Sequence, residues 1–418
     1  MREKRIHGIL PLLLFLLGFV LLQAGKPRAW AGESALLGMS AAFTGPSRGL
    51  GIELYRGSMA YFAFLNESGG INGKRVDIVP LDDGYQPDPA VENTIKFLED
   101  ENILCLFNYV GTPTVTRILP LLKGYKGYQK LLFFPFSGAE PQRQFPYKNY
   151  VFNLRASYTN ELDGLVEKFL NNGMTRLAVF YQIDAYGRSG WDGARKALAA
   201  RHRVLAGEAT YKRGAQFTDS MKQQVEILMR SKPDAVLSIG SYAACAAFIR
   251  DARNMGLDVP IANVSFVGSE NLLALLEKAG AETGRDYTEN LVNTQVVPSY
   301  EDLSLPAVRE YRECMDMYAP PPPSLSDGSY QLLKYSFTSF EGFLNAKVMA
   351  HILASYEAAP TSGMQWAAEF TRDTELGIDV SVNLSPANHQ GLEKVYFTTV
   401  KDGKFIPLDK ELWRTWRR

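Results

Sequence analysis

The sequence predicts an α/β fold made of two doubly wound parallel sheets. Strand and helix patterns alternate from residue 35 onward, and they do so in two series that divide near residue 155. The strand segments are apolar on consecutive residues, as in the stretch 235–239, rather than on every second one. Strands of this kind are buried on both faces, which is the situation in parallel sheets covered by helices. Two such series in one chain indicate two sheets.

The first series contains five predicted strands and three predicted helices. Glycines 69 and 70 close the first helix, because glycine adopts the left-handed conformation at low cost. Asp88 and Thr112 are expected to cap the second and third helices, each followed by a proline in the first turn. The strands are predicted at 36–42, 76–81, 103–110, 131–136 and 150–154.

The second series continues this alternation into the C-terminal third. Its strands are predicted at 177–181, 204–211, 235–239 and 261–267, and its helices at 162–170, 191–198, 217–230 and 243–255. The last third is less regular, with a strand at 291–297, helices at 305–318 and 330–356, and short strands at 380–384 and 395–400. We expect these later segments to complete the two sheets, since no third series follows.

Composition excludes several classes of protein. The 418 residues include 45 basic and 45 acidic ones, so the basic surplus of a nucleic-acid-binding protein is missing. Hydrophobic residues make up 46% of the chain, which suits a globular core. Three cysteines are too few for a disulfide-built scaffold, and their odd number leaves at least one unpaired within the chain. We expect buried, unreactive thiols.

The N-terminus reads as a secretory signal. Basic residues at 2, 4 and 5 precede an apolar stretch at 9–22 and a small-x-small site ending at Ala31. The apolar stretch is shorter than the roughly 20 residues that span a bilayer, which disfavours the alternative of an uncleaved anchor. We therefore expect cleavage after Ala31 and an exported, soluble protein.

Motifs for catalysis, metals and phosphate binding are missing. The chain contains no HExxH, no G-x-S-x-G and no GxxxxGK[ST] pattern, and Gly49-Leu50-Gly51 lacks the third glycine of a dinucleotide fingerprint. We expect no cofactor, no metal and no catalytic residue. The enzyme alternative would need an unusual acid pair such as Asp83 and Asp184, although acids at strand ends commonly cap helices.

The candidate site lies at the ends of strands. In open α/β sheets a ligand binds outside the carboxyl ends of the strands. Gly111 allows close approach to the backbone, and Thr112 begins a helix whose free N–H groups suit a carboxylate. The other strand ends offer hydroxyl groups, exposed backbone and aromatic rings at Phe136, Ser137, Gly138, Tyr186 and Ser241. Their distribution over both sheets favours a two-lobed clamp around a small molecule.

Residues 35–300 resemble the type I periplasmic binding proteins, in particular the leucine/isoleucine/valine-binding branch. The stretches that carry the resemblance are FTGP at 43–46, GGINGKR at 69–75, LDD at 81–83, GTPT at 111–114, YQIDAYG at 181–187 and IRDARNMG at 249–256. Residues 301–418 match more loosely, mainly through FEGFL at 340–344. The order and spacing of these stretches make the resemblance specific.

The resemblance implies two lobes joined by a three-crossover hinge. Lobe one would contain 35–153 with 291–365, and lobe two 154–290 with 366–418. The loops at Gly111-Thr112 and at 136–138 would hold the ligand from lobe one, and Tyr186 would cover it near Ser241 from lobe two. The loop around Leu50 would help to enclose the ligand side chain.

Three positions depart from the pattern of amino-acid receptors in this family. Gly138 lacks a hydroxyl that is common there, Phe136 is bulkier than usual, and no acid that could receive an ammonium group stands near Ser265 and Phe266. These differences leave room for a carboxylate ligand without an ammonium group, such as an aromatic or aliphatic acid.

The resemblance implies a solute receptor that delivers a small carboxylate-bearing molecule to the membrane permease of an ABC transporter. The ligand would be a branched-chain or other hydrophobic amino acid, or an aromatic or aliphatic acid. The alternative from the signalling class is a ligand-binding sensor that regulates a membrane partner. Both use closure of the two lobes.

Overall fold

The computed structural model describes residues 33–416. The predicted signal sequence at 1–31 lies outside the described residues and stays a prediction. Within the described part of the chain, no helix is both long and apolar enough to span a membrane.

The first lobe is built on a five-stranded parallel sheet. Its strand order is β2-β1-β3-β4-β5, so the chain starts near the middle and winds outward in both directions. The strands are β1 (Ser34–Ala41), β2 (Arg75–Asp82), β3 (Ile103–Phe107), β4 (Leu132–Phe133) and β5 (Val151–Phe152). The expected doubly wound topology is confirmed for this lobe.

The second lobe contains a seven-stranded sheet in the order β14-β13-β10-β9-β8-β6-β7. Five of its strands are parallel, and β13 and β14 are added antiparallel at one edge. Its strands are β6 (Leu177–Gln182), β7 (Gly207–Tyr211), β8 (Ala235–Ile239), β9 (Ile261–Asn263), β10 (Leu291–Gln295), β13 (Tyr396–Lys401) and β14 (Lys404–Pro407). A separate two-stranded sheet pairs β11 (Thr374–Glu375) with β12 (Ser381–Val382).

Helices cover the sheets. In chain order they are α1 (Arg48–Glu67), α2 (Pro87–Glu99), α3 (Thr112–Gly124), α4 (Tyr158–Asn171), α5 (Ala185–Ala199), α6 (Lys222–Arg230), α7 (Tyr242–Asn254), α8 (Ser269–Thr283), α9 (Pro306–Tyr318), α10 (Phe337–Ala358), α11 (Gly363–Glu369) and α12 (Lys410–Thr415). The sequence had offered no prediction for α8, α11 or α12.

Strand β10 corrects one expected lobe boundary. We expected the chain to return to the first lobe at residue 291, but β10 pairs in parallel with β9, with Leu291 opposite Ile261. All five residues of β10 are buried, so the second sheet would lose part of its core without them. The chain therefore leaves this sheet after Gln295, and α9 and α10 then pack on α1 of the first lobe.

Helix α10 lies against α1 because two glycines remove side chains from the contact. A Cβ atom on Gly57 would lie 1.7 Å from the carbonyl oxygen of Ser339, and one on Gly342 would lie 2.2 Å from that of Leu54. Contacts this short are excluded for carbon and oxygen. The helix expected at 330–356 begins only at Phe337, because Ser336 caps it by accepting a hydrogen bond from the Ser339 N–H.

Helix starts differ from the sequence prediction at two further places. Helix α2 begins at Pro87, and its cap residue is Gln86, two residues before the predicted cap at Asp88. Helix α3 is preceded by Gly111 at the cap position, and Thr112 makes no capping hydrogen bond. The three cysteines are free and buried, as expected.

Candidate ligand-binding cleft

The end of β3 and the loop after β4 bring a group of hydroxyls together between the lobes. Thr112 Oγ1 lies 2.8 Å from Ser137 Oγ and 3.3 Å from the hydroxyl of Tyr158, and all three side chains are buried. Gly111 precedes them with φ of +108°, where a Cβ atom would lie 2.3 Å from the ring of Tyr85. The predicted role of Thr112 as a helix cap is wrong, because its hydroxyl points into this cluster instead.

An aromatic cluster lies next to the hydroxyls and spans both lobes. The ring of Phe266 lies 5.4 Å from Phe136, 5.9 Å from Tyr85 and 4.6 Å from Tyr186, measured between centroids. Tyr158 packs on Tyr186 at 5.3 Å. Phe136 and Tyr85 come from the first lobe, whereas Tyr186 and Phe266 come from the second. The predicted residues Phe136 and Tyr186 thus lie on the same central ring.

The remaining predicted residues lie around this centre. The carbonyl of Gly138 accepts a hydrogen bond from the Tyr158 N–H at 2.7 Å. Ser241 precedes α7, and the adjacent carbonyl of Gly240 accepts from the Tyr186 hydroxyl at 3.4 Å. Leu50 packs on the second lobe at another place. It lies beside Gly268, and a Cβ atom on Gly268 would be 2.7 Å from Leu50 Cδ2. Leu50 and Ser241, whose N–H donates to the Tyr211 hydroxyl at 3.3 Å, thus have their own described contacts outside the hydroxyl and aromatic groups.

A buried arginine that the sequence analysis missed lies in the same cleft. Arg155 is 1% exposed, and its guanidinium carbon lies 4.3 Å above the ring of Phe136. Nη2 donates a hydrogen bond to Ser265 Oγ, and Nε is 3.6 Å from a carboxylate oxygen of Glu341. Within the described residues, neither Nε nor Nη1 has a hydrogen-bond acceptor.

A second buried acid is already fully engaged. One carboxylate oxygen of Glu161 accepts from Ser265 N at 2.7 Å and from the Thr294 hydroxyl, and the other accepts from Ser265 Oγ at 3.0 Å. Glu161 therefore holds Ser265, which in turn holds Arg155. This chain of contacts fixes the arginine between the lobes.

Burial and nearby charges determine the protonation states of the side chains in the cleft. It raises the pKa of the tyrosines at 85, 158 and 186, which therefore remain neutral hydrogen-bonding hydroxyls. Burial is the largest single influence on the pKa of Arg155 and lowers it, but Glu341, Tyr158, Glu161 and Tyr186 together outweigh burial, so the net direction is upward. The cleft thus combines neutral hydroxyls with the charged guanidinium of Arg155.

The acids that the enzyme alternative would use have structural partners. Asp184 caps α5 by accepting from the Tyr186 N–H at 3.0 Å, and it pairs with Arg213 at 3.1 Å. Asp83 accepts from Ser40 Oγ and from the Tyr85 N–H, each at 2.8 Å, and burial raises its pKa to about 7. Both oxygens of Asp83 are engaged, so the geometry gives this residue a turn-forming role.

The lobes also touch directly across the cleft. Gln182 Nε2 of the second lobe donates to the Tyr85 hydroxyl at 3.3 Å, and Arg213 reaches Gln86 at 3.2 Å. Gly49 N donates to the Tyr242 hydroxyl at 3.2 Å. These contacts describe a closed arrangement of the lobes.

The missed residues share one signal. Tyr85 follows the carboxyl end of β2, Arg155 follows β5, and Ser265 and Phe266 follow β9. The strand-end rule applied to Gly111 and Tyr186 covers these positions equally. The predicted strand at 261–267 included Ser265 and Phe266, and no sequence motif marks Tyr85 or Arg155.

The chain belongs to the periplasmic binding protein family, of type I. The family model described as "Periplasmic binding protein" matches residues 36–404. A search of curated protein sequences gave no match.

Solved structures share the fold over nearly the whole chain. A possible leucine/isoleucine/valine-binding protein from Rhodopirellula baltica is 28% identical, with a TM-score of 0.79 over 93% of this chain and 99% of its own. A branched-chain amino acid ABC transporter protein from Thermus thermophilus with bound valine is 18% identical, with a TM-score of 0.76 over 92% and 99%. A fatty acid ABC transporter substrate-binding protein from Thermomonospora curvata is 20% identical, with a TM-score of 0.74 over 94% and 96%. The structures named for valine and for fatty acids differ little in their similarity to this chain, at 18% and 20% identity, so likeness alone does not select a ligand.

Proposed function

We propose that this protein is a periplasmic solute receptor of an ABC importer and that it binds a small carboxylate-bearing molecule between its lobes. The observation that supports this most directly is the convergence of hydroxyls, aromatic rings and Arg155 in one buried cleft. A carboxylate needs hydrogen-bond donors and positive charge, and an apolar body needs the rings. The family membership supports the receptor role and a permease partner.

Closure would follow from differential affinity. Phe136 and Thr112 belong to the first lobe, whereas Tyr186 and Ser265 belong to the second, so a ligand touching all four stabilises the closed state over the open one. Burying its apolar part contributes about 25 cal/mol per Å² removed from water. The permease would then recognise the closed receptor.

A thermal-shift screen against amino acids, aliphatic acids and aromatic acids tests this proposal. A ligand that binds the folded state raises the melting temperature as its concentration exceeds its Kd. Small-angle X-ray scattering should show that the protein is at least as compact with a ligand from this screen as without it. Stimulation of the reconstituted permease by the loaded receptor would favour import, whereas stimulation of a sensor kinase would favour the signalling alternative.

The site itself is tested by two substitutions that the cleft geometry singles out. Tyr186→Ala removes the ring beneath Phe266, and Thr112→Val removes the hydroxyl between Ser137 and Tyr158. Unchanged affinity in both variants by calorimetry would reject this cleft as the ligand site.

A further inference from the structure

We propose that Arg155 is the primary anchor for the ligand's carboxylate and that the receptor selects acids lacking an α-ammonium group. This inference rests on the proposed function and narrows its ligand class.

The guanidinium retains donors that need an acceptor. Nε and Nη1 carry three of the five N–H groups of an arginine side chain, and both nitrogens are buried without an acceptor among residues 33–416. A buried donor left unpaired costs free energy comparable to a lost hydrogen bond. The Glu341 oxygen at 3.6 Å from Nε is within ion-pair range but beyond hydrogen-bond distance. A carboxylate at Nη1 would supply the missing acceptor.

The position of Arg155 suits a ligand held by both lobes. Its guanidinium stacks on Phe136 of the first lobe and donates to Ser265 of the second. Glu161 fixes Ser265, so the arginine is preorganised before the ligand arrives. Preorganisation lowers the entropy cost of binding. The rings of Phe136, Phe266 and Tyr186 are buried and pack on one another beside the guanidinium, so the apolar part of a ligand bound to Arg155 would lie among aromatic side chains.

An α-ammonium group would find a poor environment here. The oxygens of Glu161 are already occupied by Ser265 and Thr294. Glu341 faces Arg155, whose positive charge would repel a nearby cation. Paired acids elsewhere in the cleft, such as Asp184 with Arg213, are likewise engaged. The charges therefore favour an acid over the corresponding amino acid.

Two sets of three matched probes test the selection. One set is 3-phenylpropionate, L-phenylalanine and 3-phenylpropionamide, and the other is 4-methylpentanoate, L-leucine and 4-methylpentanamide. Within each set the second probe adds the ammonium group, and the third replaces one carboxylate oxygen by NH2, which removes the negative charge. Calorimetry on the purified wild-type protein should show the acid of at least one set binding about tenfold or more tightly than its two partners.

Variants then assign the preference to the arginine. Arg155→Met should lower the affinity for the acid at least about thirtyfold and leave the affinity for the amide unchanged. Arg155→Lys should give an intermediate loss of affinity for the acid. Arg253→Lys is the matched control, because Arg253 is also buried but donates to Leu257, Val259 and Glu289 away from the cleft. It should retain wild-type affinity.

The outcomes separate this inference from the proposed function. Tighter binding of an amino acid than of its matched acid overturns the inference and leaves the receptor role intact, as does a folded Arg155→Met variant with unchanged affinity. Binding of none of the six probes by the wild-type protein overturns the carboxylate ligand of the proposed function itself. The wild-type comparison decides the question even where a variant fails to fold.

Discussion

Two buried arginines in this protein differ in how completely their donors are used. Arg56 of α1 pairs with Glu53 at 2.8 Å and also donates to the carbonyls of Pro320 and Leu333, at 2.8 and 2.7 Å. Arg155 has one hydrogen-bonded nitrogen and a more distant acid. The first arginine is 5% exposed and the second 1%, so burial alone does not separate them.

The difference indicates which arginine serves the fold and which serves a ligand. Glu53 and Arg56 attach the segment before α10 to α1, since Glu53 also accepts from the Leu333 N–H at 3.0 Å. Nε and Nη1 of Arg56 are both hydrogen-bonded in this way, whereas the same two nitrogens of Arg155 have no acceptor among the described residues. Changes near Arg56 should therefore alter stability without altering affinity, and changes near Arg155 should alter affinity.

The largest expected effect is on stability at the first arginine. Glu53→Ala leaves Arg56 buried without its acid, which should lower the free energy of unfolding by about 3–5 kcal/mol. Chemical denaturation measures this change. Asp192→Ala is the control, because the exposed pair of Asp192 with Lys196 should contribute less than about 1 kcal/mol.

Ligand affinity provides the other half of this test. The folded fraction of Glu53→Ala should bind the tightest of the six probes as the wild type does. A loss of affinity beyond threefold would break the distinction between the two arginines, because it would link the saturated pair to the cleft.

The next largest effect concerns the aromatic side of the cleft. Tyr186→Ala removes a fully buried ring that contacts Phe266 and Tyr158, and we expect affinity to fall about thirtyfold, which corresponds to about 2 kcal/mol. Tyr287→Ala is the control, since this buried tyrosine bonds to Asn254 elsewhere in the second lobe. Both variants should lose stability, but an equal loss of affinity would show that the ring acts only through folding.

A smaller effect is expected at the hydroxyl cluster. Thr112→Val keeps the shape of the side chain but removes one hydrogen-bonding group, so affinity should fall about fivefold, or about 1 kcal/mol. Thr94→Val serves as its counterpart, because Thr94 is equally buried and bonds to Ala90 and Tyr109 outside the cleft. Calorimetry that finds the same affinity for both variants would remove Thr112 from the site.

The fold was predictable from local patterns because burial on both faces leaves a direct mark on the sequence. The strand at 235–239 was predicted with its observed bounds, since all five residues are buried. The boundary at 291 was wrong because a strand's pattern reports its burial and not which sheet it joins. That choice depends on long-range pairing, here between β10 and β9.

The site was predictable only in part, for a related reason. Thr112, Ser137 and Tyr186 were predicted because they follow strands and carry suitable groups, and the structure places them close together. Arg155 was not predicted. What distinguishes it is that Nε and Nη1 have no hydrogen-bond acceptor among the described residues, and this can be seen only in the packed structure. The sequence does not show whether the hydrogen-bond donors of a charged residue after a strand have acceptors in the folded protein.

The smallest expected effect is a pH dependence that distinguishes the two arginines further. Burial raises the pKa of Glu341 to about 7, and the charged groups around its carboxyl are Arg155, Glu161 and Arg143. As pH falls through this pKa, Glu341 loses its negative charge while the ligand's carboxylate, with a pKa near about 4–5, stays ionised. The charge of Arg155 is then less compensated, so affinity for the acid should rise about threefold between about pH 8 and about pH 6.

Glu341→Gln should bind with nearly constant affinity over this range, because it fixes the neutral form. Glu270→Gln is the control: burial also raises the pKa of Glu270 to about 7, but its carboxylate accepts from the Phe337 N–H instead of facing Arg155. This variant should keep the wild-type pH profile. Affinity that falls toward low pH, or a profile flattened by Glu270→Gln instead of Glu341→Gln, would contradict the role of Arg155 as the open cation of the cleft.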